Sequence, residues 1–130
     1  MTLNVLIVDD SATMRSMLVK TLQMSGLPLG TVSQASNGKE GLELLDREWV
    51  DIVFLDINMP VMSGMEMIES MRKKPELVNT PIIVVSTESS QTRIEEVQSK
   101  GVKFIHKPFT PERVREIVQS IVGDPQDASA

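Results

Sequence analysis

Five side chains hold most of the chemistry open to this sequence: the adjacent acids Asp9 and Asp10, the isolated Asp56, the hydroxyl of Ser86 and the ammonium of Lys107. Each follows or closes a short apolar run, and the five recur in that order along the chain. Two unit charges ~4 Å apart repel by about 1 kcal/mol in water and ~4 kcal/mol near a protein surface. Three carboxylates brought to one place therefore need positive charge beside them. Lys107 supplies part of it. A hard divalent cation supplies the remainder, and Mg2+ commonly takes one or two carboxylates, a carbonyl and waters. The acids lack the Asp/Asn/Gly spacing of a calcium loop, so the pattern predicts an open Mg2+ site, with Mn2+ as the substitute ion. Beside such an ion a carboxylate is a usable nucleophile toward a phosphoryl group. The metal and Lys107 would neutralise the equatorial oxygens, and Ser86 would hydrogen-bond one of them. A serine or cysteine nucleophile with a histidine base is not available: there is no cysteine, and the single histidine, His106, directly precedes Lys107 and is expected to point away from it.

The elements that must position these groups are legible from apolar patterning. Residues 51–60, DIVFLDINMP, place a fully apolar tetrapeptide before Asp56 and a Met-Pro stop after it. An unbroken β-branched and aromatic run suits a strand buried on both faces, and proline ends regular structure by lacking an N–H and restricting its predecessor. Similar strands are predicted at residues 5–8, 82–86 and 103–106, with a weaker one at 31–35. Helices are predicted between them: 12–24, N-capped by Ser11 and ended by Gly26 and Pro28; a second with Leu42, Leu45 and Trp49 inward; a third with Met65, Ile68 and Met71 inward, closing at Lys73-Lys74-Pro75; a polar fourth over 91–100 with only Ile94 and Val97 in the core and Gly101 after its end; and a fifth begun by Thr110-Pro111 with Val114, Ile117, Val118 and Ile121 inward. Strand–helix pairs with short connections imply an α/β domain, a five-stranded parallel sheet with helices on both faces. Parallel strands point their carboxyl ends one way, so the five chemical groups gather on one rim, where open α/β sheets bind ligands. The nine methionines read as core filling. The last residues, 124–130, are small and polar and read as a short disordered tail.

Bulk properties narrow the classes. With 130 residues the chain is long enough for one real core and too short for two ordinary domains. Thirteen basic against eighteen acidic residues give a net charge of -5, the wrong sign for a surface that neutralises nucleic-acid phosphates. The absence of cysteine excludes disulfides, thiol catalysis and cysteine–zinc sites, and suits a reducing compartment. No secretory leader is visible and no run of ~20 apolar residues occurs in this sequence, so no membrane insertion is expected and the cytoplasm is the default location.

The segments VLIVDDS, DIVFLDINMP, IIVVST and KPF resemble the receiver domain of two-component response regulators, over about residues 3–122. The VDDSATMR opening and the NMP loop look most like stand-alone chemotaxis regulators of the CheY type. The resemblance implies a flavodoxin-like, doubly wound (βα)5 fold with strand order 2-1-3-4-5 and a receiver domain over residues 1–123. It implies that Asp56 accepts a phosphoryl group from a sensor histidine kinase. Asp10 and Asp56 would ligate Mg2+ by side chain, Asp9 from the outer shell and Asn58 through its backbone carbonyl. Lys107, with a cis bond to Pro108, would contact the phosphoryl group. Ser86 would be the switch hydroxyl and Phe104 the aromatic that turns inward with it, repacking the face of the fourth helix, fifth strand and fifth helix, where Arg93, Glu95 and Glu96 would be exposed. Asn58 and Glu88 would tune how fast water removes the group. Downstream partners would include a target such as a flagellar switch protein, and a phosphatase. Phe104 stands where these regulators often have tyrosine, and Ile57 where they carry a tryptophan beside the acceptor, so Trp49 is expected to report phosphorylation poorly.

Such a protein is no enzyme beyond phosphotransfer to its own aspartate and self-dephosphorylation. Taken singly, Ser86 can be a plain strand cap and Phe104 plain core packing. A phosphate sink or adaptor carries the same motifs. An aspartate-nucleophile phosphohydrolase wants an acid two residues after the nucleophile, where this chain has Asn58. A flavodoxin-type flavin carrier needs a hydroxyl-rich first loop, whereas Asp9-Asp10 would repel a flavin phosphate.

Overall fold

A computed structural model describes residues 2–59 and 61–122; Gly123 and the expected tail at 124–130 lie outside the described residues. Five strands and five helices alternate: β1 (Leu3–Val8), α1 (Ala12–Met24), β2 (Leu29–Ala35), α2 (Gly38–Arg47), β3 (Ile52–Leu55), α3 (Gly64–Lys73), β4 (Ile82–Ser86), α4 (Gln91–Gln98), β5 (Lys103–His106) and α5 (Pro111–Val122). The strands form one sheet, wholly parallel, in the order β2-β1-β3-β4-β5. This is the flavodoxin-like order that the resemblance implied.

Alternation along the buried strands feeds two cores. Leu6, Val8, Val53, Leu55, Val84 and Phe104 face the layer made by α2, α3 and α4. Val5, Ile7, Phe54, Ile83, Val85 and Ile105 face α1 and α5. Both faces of β1, β3 and β4 are thus covered, which is why their sequences are continuous apolar runs. The chain leaves β1 toward β2 on one side and leaves β3 toward β4 on the other. The neighbours β1 and β3 therefore flank the point where the winding reverses, and a crevice opens beyond their carboxyl ends.

Local signals set the helix ends. Ser11, Asn37, Ser63 and Ser90 accept hydrogen bonds from backbone N–H groups in the first turns of α1 to α4, and Thr110 does the same for α5. At α3 the cap is reciprocal, with Glu66 reaching back to the Ser63 N–H. Gly101, just past α4, has φ +78°, a conformation that glycine alone adopts without strain.

Two expectations about the interior are corrected. Trp49 is not on the inner face of α2: the helix ends at Arg47, so the i+4 step from Leu45 carries Trp49 out of the helix, and the indole is 78% exposed. In α3 the interior is filled by Met67 with Ile68 and Met71, while Met65 is only partly covered. Strands β1 and β2 each begin two residues earlier than their apolar runs indicate, and α4 stops at Gln98, two residues short of the expected end.

Candidate functional site

The sheet fixes the site through its last hydrogen bonds. Asp9 donates its N–H to the Ala35 carbonyl at 3.1 Å, Asp56 to Val8 at 2.9 Å, and Lys107 to Ser86 at 2.9 Å. Each of these candidate residues is thus the first beyond a strand and still tied to its neighbour. Side-chain oxygens of Asp9, Asp10 and Asp56 consequently lie within 4.8 Å of one another. Asp9 is buried, Asp56 half-buried and Asp10 exposed.

Lys107 is the counter-charge. Its Nζ lies 3.5 Å from Asp9 Oδ2, and both side chains are largely covered. The Lys107–Pro108 peptide bond is cis, as the resemblance implied. Burial pushes the Asp56 carboxyl above the usual carboxylate range; Lys107 pulls it back, Asp9 pushes it up again, and the Ile57 N–H and Asp10 act more weakly in opposite senses. The lysine therefore does not cancel the crowding of the three acids. Hard, closely spaced oxygen donors of mixed exposure, with one face open to water, fit an ion such as Mg2+ that keeps several waters. The void beneath the cluster measures only about 10 Å3, room for one water at most, so a larger ligand would sit on the outer side.

The other predicted residues lie at or just beyond the carboxyl ends of β3 and β4, and in β5. Ser86 closes β4 and is 3% exposed; its Oγ accepts from the Glu88 N–H at 3.1 Å, which leaves its own proton free to donate. Glu88 Oε1 accepts from the Ser90 N–H at 3.0 Å, holding the β4–α4 loop closed on itself. Asn58 is exposed in the loop after β3. Phe104 is inward, 7% exposed and packed in the core with Val84, Ile94 and Val97. His106 is exposed, and its ring meets that of Phe104 edge-on at 5.0 Å.

Sequence reading missed three contributors. Arg15 Nη1 donates to the Asp9 carbonyl at 2.6 Å and its Nε to Gln34 at 3.1 Å, bracing the acid pair from α1. Gly64 lets α3 seat against Asp56: a Cβ there would fall 2.3 Å from the Asp56 carbonyl oxygen. The Ser63-x-x-Glu66 spacing marked this helix start. Third, an apolar groove of about 510 Å3 adjoins Lys107, lined by Met14, Met17, Pro108 and Phe109 with Thr87 and Lys20 at its edges. Met17 follows the helical spacing of α1 but opens onto this groove, half exposed.

Comparison with known proteins agrees with this geometry. The family model described as the response regulator receiver domain matches residues 5–119. A chemotaxis protein CheY homolog of Campylobacter jejuni is 35% identical over 123 residues, 93% of each chain. The chemotaxis protein CheY of Thermotoga maritima is 39% identical over 118 residues, 90% of this chain and 95% of the relative. Among solved structures, the chemotaxis response regulator CheY4 of Vibrio cholerae superposes with a TM-score of 0.81 at 34% identity, covering 93% of this chain and 99% of that one.

Proposed function

The chain belongs to the response regulator receiver family, and from that premise we propose that it is a phosphorylation-activated switch of a chemotaxis two-component system. A sensor histidine kinase is the phosphodonor, Asp56 the acceptor, and a flagellar switch protein the kind of target controlled. The cytoplasm is its working compartment, and a phosphatase a further partner. The observation that carries the reading is the arrangement of Asp9, Asp10 and Asp56 at the crevice between β1 and β3, with one largely buried ammonium beside them.

An oxygen of Asp56 attacks phosphorus in line with the donor nitrogen. The new O–P bond forms as the P–N bond breaks, and the electron pair leaves on the imidazole, which takes up a proton. Asp9 and Asp10 with Asp56 and the Asn58 carbonyl would hold Mg2+, or Mn2+ in its place, and the ion supplies neutralisation of phosphoryl charge when bound. Lys107 exchanges its contact with Asp9 for a phosphoryl oxygen, and the free proton of Ser86 goes to another. The bound group brings roughly -1.5 to -2 charge. Moving Ser86 toward it releases the Glu88 N–H and loosens the β4–α4 loop. Helix α4 is the shortest of the five and is held by only two buried residues, Ile94 and Val97, which suits it to shift. Phe104 is packed inward, and modification would favour the state of the α4–β5–α5 face in which it stays there. Water later cleaves the acyl phosphate, at a rate set by access past Asn58 and Glu88. The apolar groove beside Lys107 offers a docking partner a purchase next to the acceptor.

Incubation with Mg2+ and acetyl phosphate, followed by intact mass and peptide mapping, tests the proposal. One added phosphoryl group on Asp56, absent with chelator, is expected. No mass gain from acetyl phosphate or from a phosphorylated chemotaxis kinase would overturn it.

A further inference from the structure

The opposite end of the sheet carries a second feature, built around the single tryptophan. Trp49 lies two residues beyond α2 with its ring in solvent, yet its indole N–H donates to Asp51 Oδ1 at 2.9 Å. Asp51 is itself fixed: Oδ2 accepts from the Asn4 N–H at 2.8 Å, and its own N–H donates to the Asn4 carbonyl at 2.8 Å. The indole is therefore an exposed aromatic held in one orientation, which lowers the ordering cost of binding.

Two grooves flank it. One, of about 340 Å3, runs between the α2–β3 and α3–β4 connections over Leu45, Val50, Pro75 and Leu77. The other, of about 230 Å3, lies over Val5, Thr31 and Ser33. Both fall at or below the lower end of the ~300–1,000 Å3 range of ligand pockets, a size for one or two side chains rather than a cofactor. The charged residues lining them are Glu48, Asp51 and Glu76, all acidic. Glu48 accepts from the Ser33 hydroxyl at 2.6 Å, and Asp51 from backbone and indole N–H groups. These neutral donors leave the charge in place, and none of the four ion pairs among the described residues involves the three acids. The adjacent Lys74 is engaged by Asp46 at 3.3 Å.

We infer that this end of the molecule is a docking surface for an arginine-bearing segment of a partner protein, with the guanidinium laid on Trp49 among Glu48, Asp51 and Glu76 and a neighbouring apolar side chain in the larger groove. Arginine suits the site better than lysine because its planar, weakly hydrated fork both stacks on an indole and spans carboxylates. Tryptophan in a pocketed, partly apolar setting is also the residue type that most often dominates interface energy. The surface lies across the sheet from Asp56, so binding here is independent of phosphoryl transfer and leaves the rim free.

The test is titration of the isotopically labelled full chain with acetyl-Pro-Leu-Arg-Leu-amide and with its citrulline counterpart, which keeps the shape and removes the charge. Expected are saturable amide shifts confined to the segments around residues 4, 31–33, 48–51 and 75–80, with a concurrent change in Trp49 emission. Affinity should fall about tenfold for the citrulline peptide and by a similar factor in Trp49→Leu and Glu76→Gln. Both side chains are exposed, so both variants should keep the parent Tm and phosphoryl uptake. Absence of saturation, equal response to the citrulline peptide, or shifts centred elsewhere would overturn the inference. Concentration-dependent self-association through these residues in sedimentation would also overturn it, assigning the surface to a second copy of this chain.

Discussion

Strand β3 is four residues long and has an aspartate at each end, and the two have opposite fates. Asp51, at the amino end, is enclosed in hydrogen bonds from Asn4 and Trp49 and ties β1 to β3. Asp56, at the carboxyl end, faces two further acids, has its carboxyl pushed upward by burial, and shares a single lysine with them. The same end also holds Val61 at φ 67°, a left-handed conformation unfavourable for a β-branched residue. One end of the strand spends its polar groups on holding the fold. The other leaves charge and backbone strain unrelieved, the condition expected where a ligand is to supply the relief.

The largest effect that would break this contrast is loss of chemistry. Asp56→Asn is expected to abolish phosphoryl uptake completely by intact mass, whereas Asp51→Ala should leave uptake at the parent rate. Asp51→Ala should instead cost about 1–3 kcal/mol of stability in urea denaturation, because the Asn4 N–H loses its acceptor. A stable Asp51→Ala protein would mean that the amino-end network is ornamental.

The pH dependence of Asp56→Asn sharpens the comparison. The folded chain holds the Asp56 proton more tightly than the unfolded chain does, so ionising it destabilises the fold. That penalty is absent below about pH 3.9, the ordinary aspartate value, and develops as pH rises through the raised folded-state value. In metal-free buffer the Tm advantage of Asp56→Asn should thus be nil in acid and grow to a plateau toward neutral pH. A constant difference across that window would contradict the assignment.

Smaller effects follow at the same rim. Asp10→Asn should raise the metal-free Tm by about 2–5 °C, corresponding to roughly 1 kcal/mol of relieved repulsion at an exposed site, and should remove the stabilisation that Mg2+ gives the parent. A fall in metal-free Tm with the Mg2+ response retained would remove Asp10 from the ligand set. Val61→Asn should add up to ~1 kcal/mol, since asparagine tolerates positive φ.

The fold was legible because three of its strands are buried on both faces: Val5 to Val8, Ile52–Leu55 and Ile82–Ser86 can hardly be anything else in a chain of this length. The rim follows from parallel geometry alone, which sends Asp9, Asp10, Asp56, Ser86 and Lys107 to one edge of the sheet. What escaped depends on where periodicity stops. Trp49 continues the spacing of Leu42 and Leu45, but Glu48 turns extended and breaks the phase. The preference for Met67 over Met65 rests on shape, since Met67 fills space left by Gly41, whose Cβ would lie 2.9 Å from the Met67 methyl. Lys107 pairing with Asp9, and Arg15 bracing the Asp9 carbonyl, are long-side-chain choices that spacing does not encode.

The last rungs of the ladder, Asp9 to Ala35, Asp56 to Val8 and Lys107 to Ser86, hand the spacing of the acids and the lysine to the sheet instead of to the connecting segments. Under the proposed function, mutational drift in the segments beyond those rungs would alter how long a signal persists without detuning the distances on which phosphoryl acceptance would depend. Timing and geometry become separately adjustable parts of one small machine.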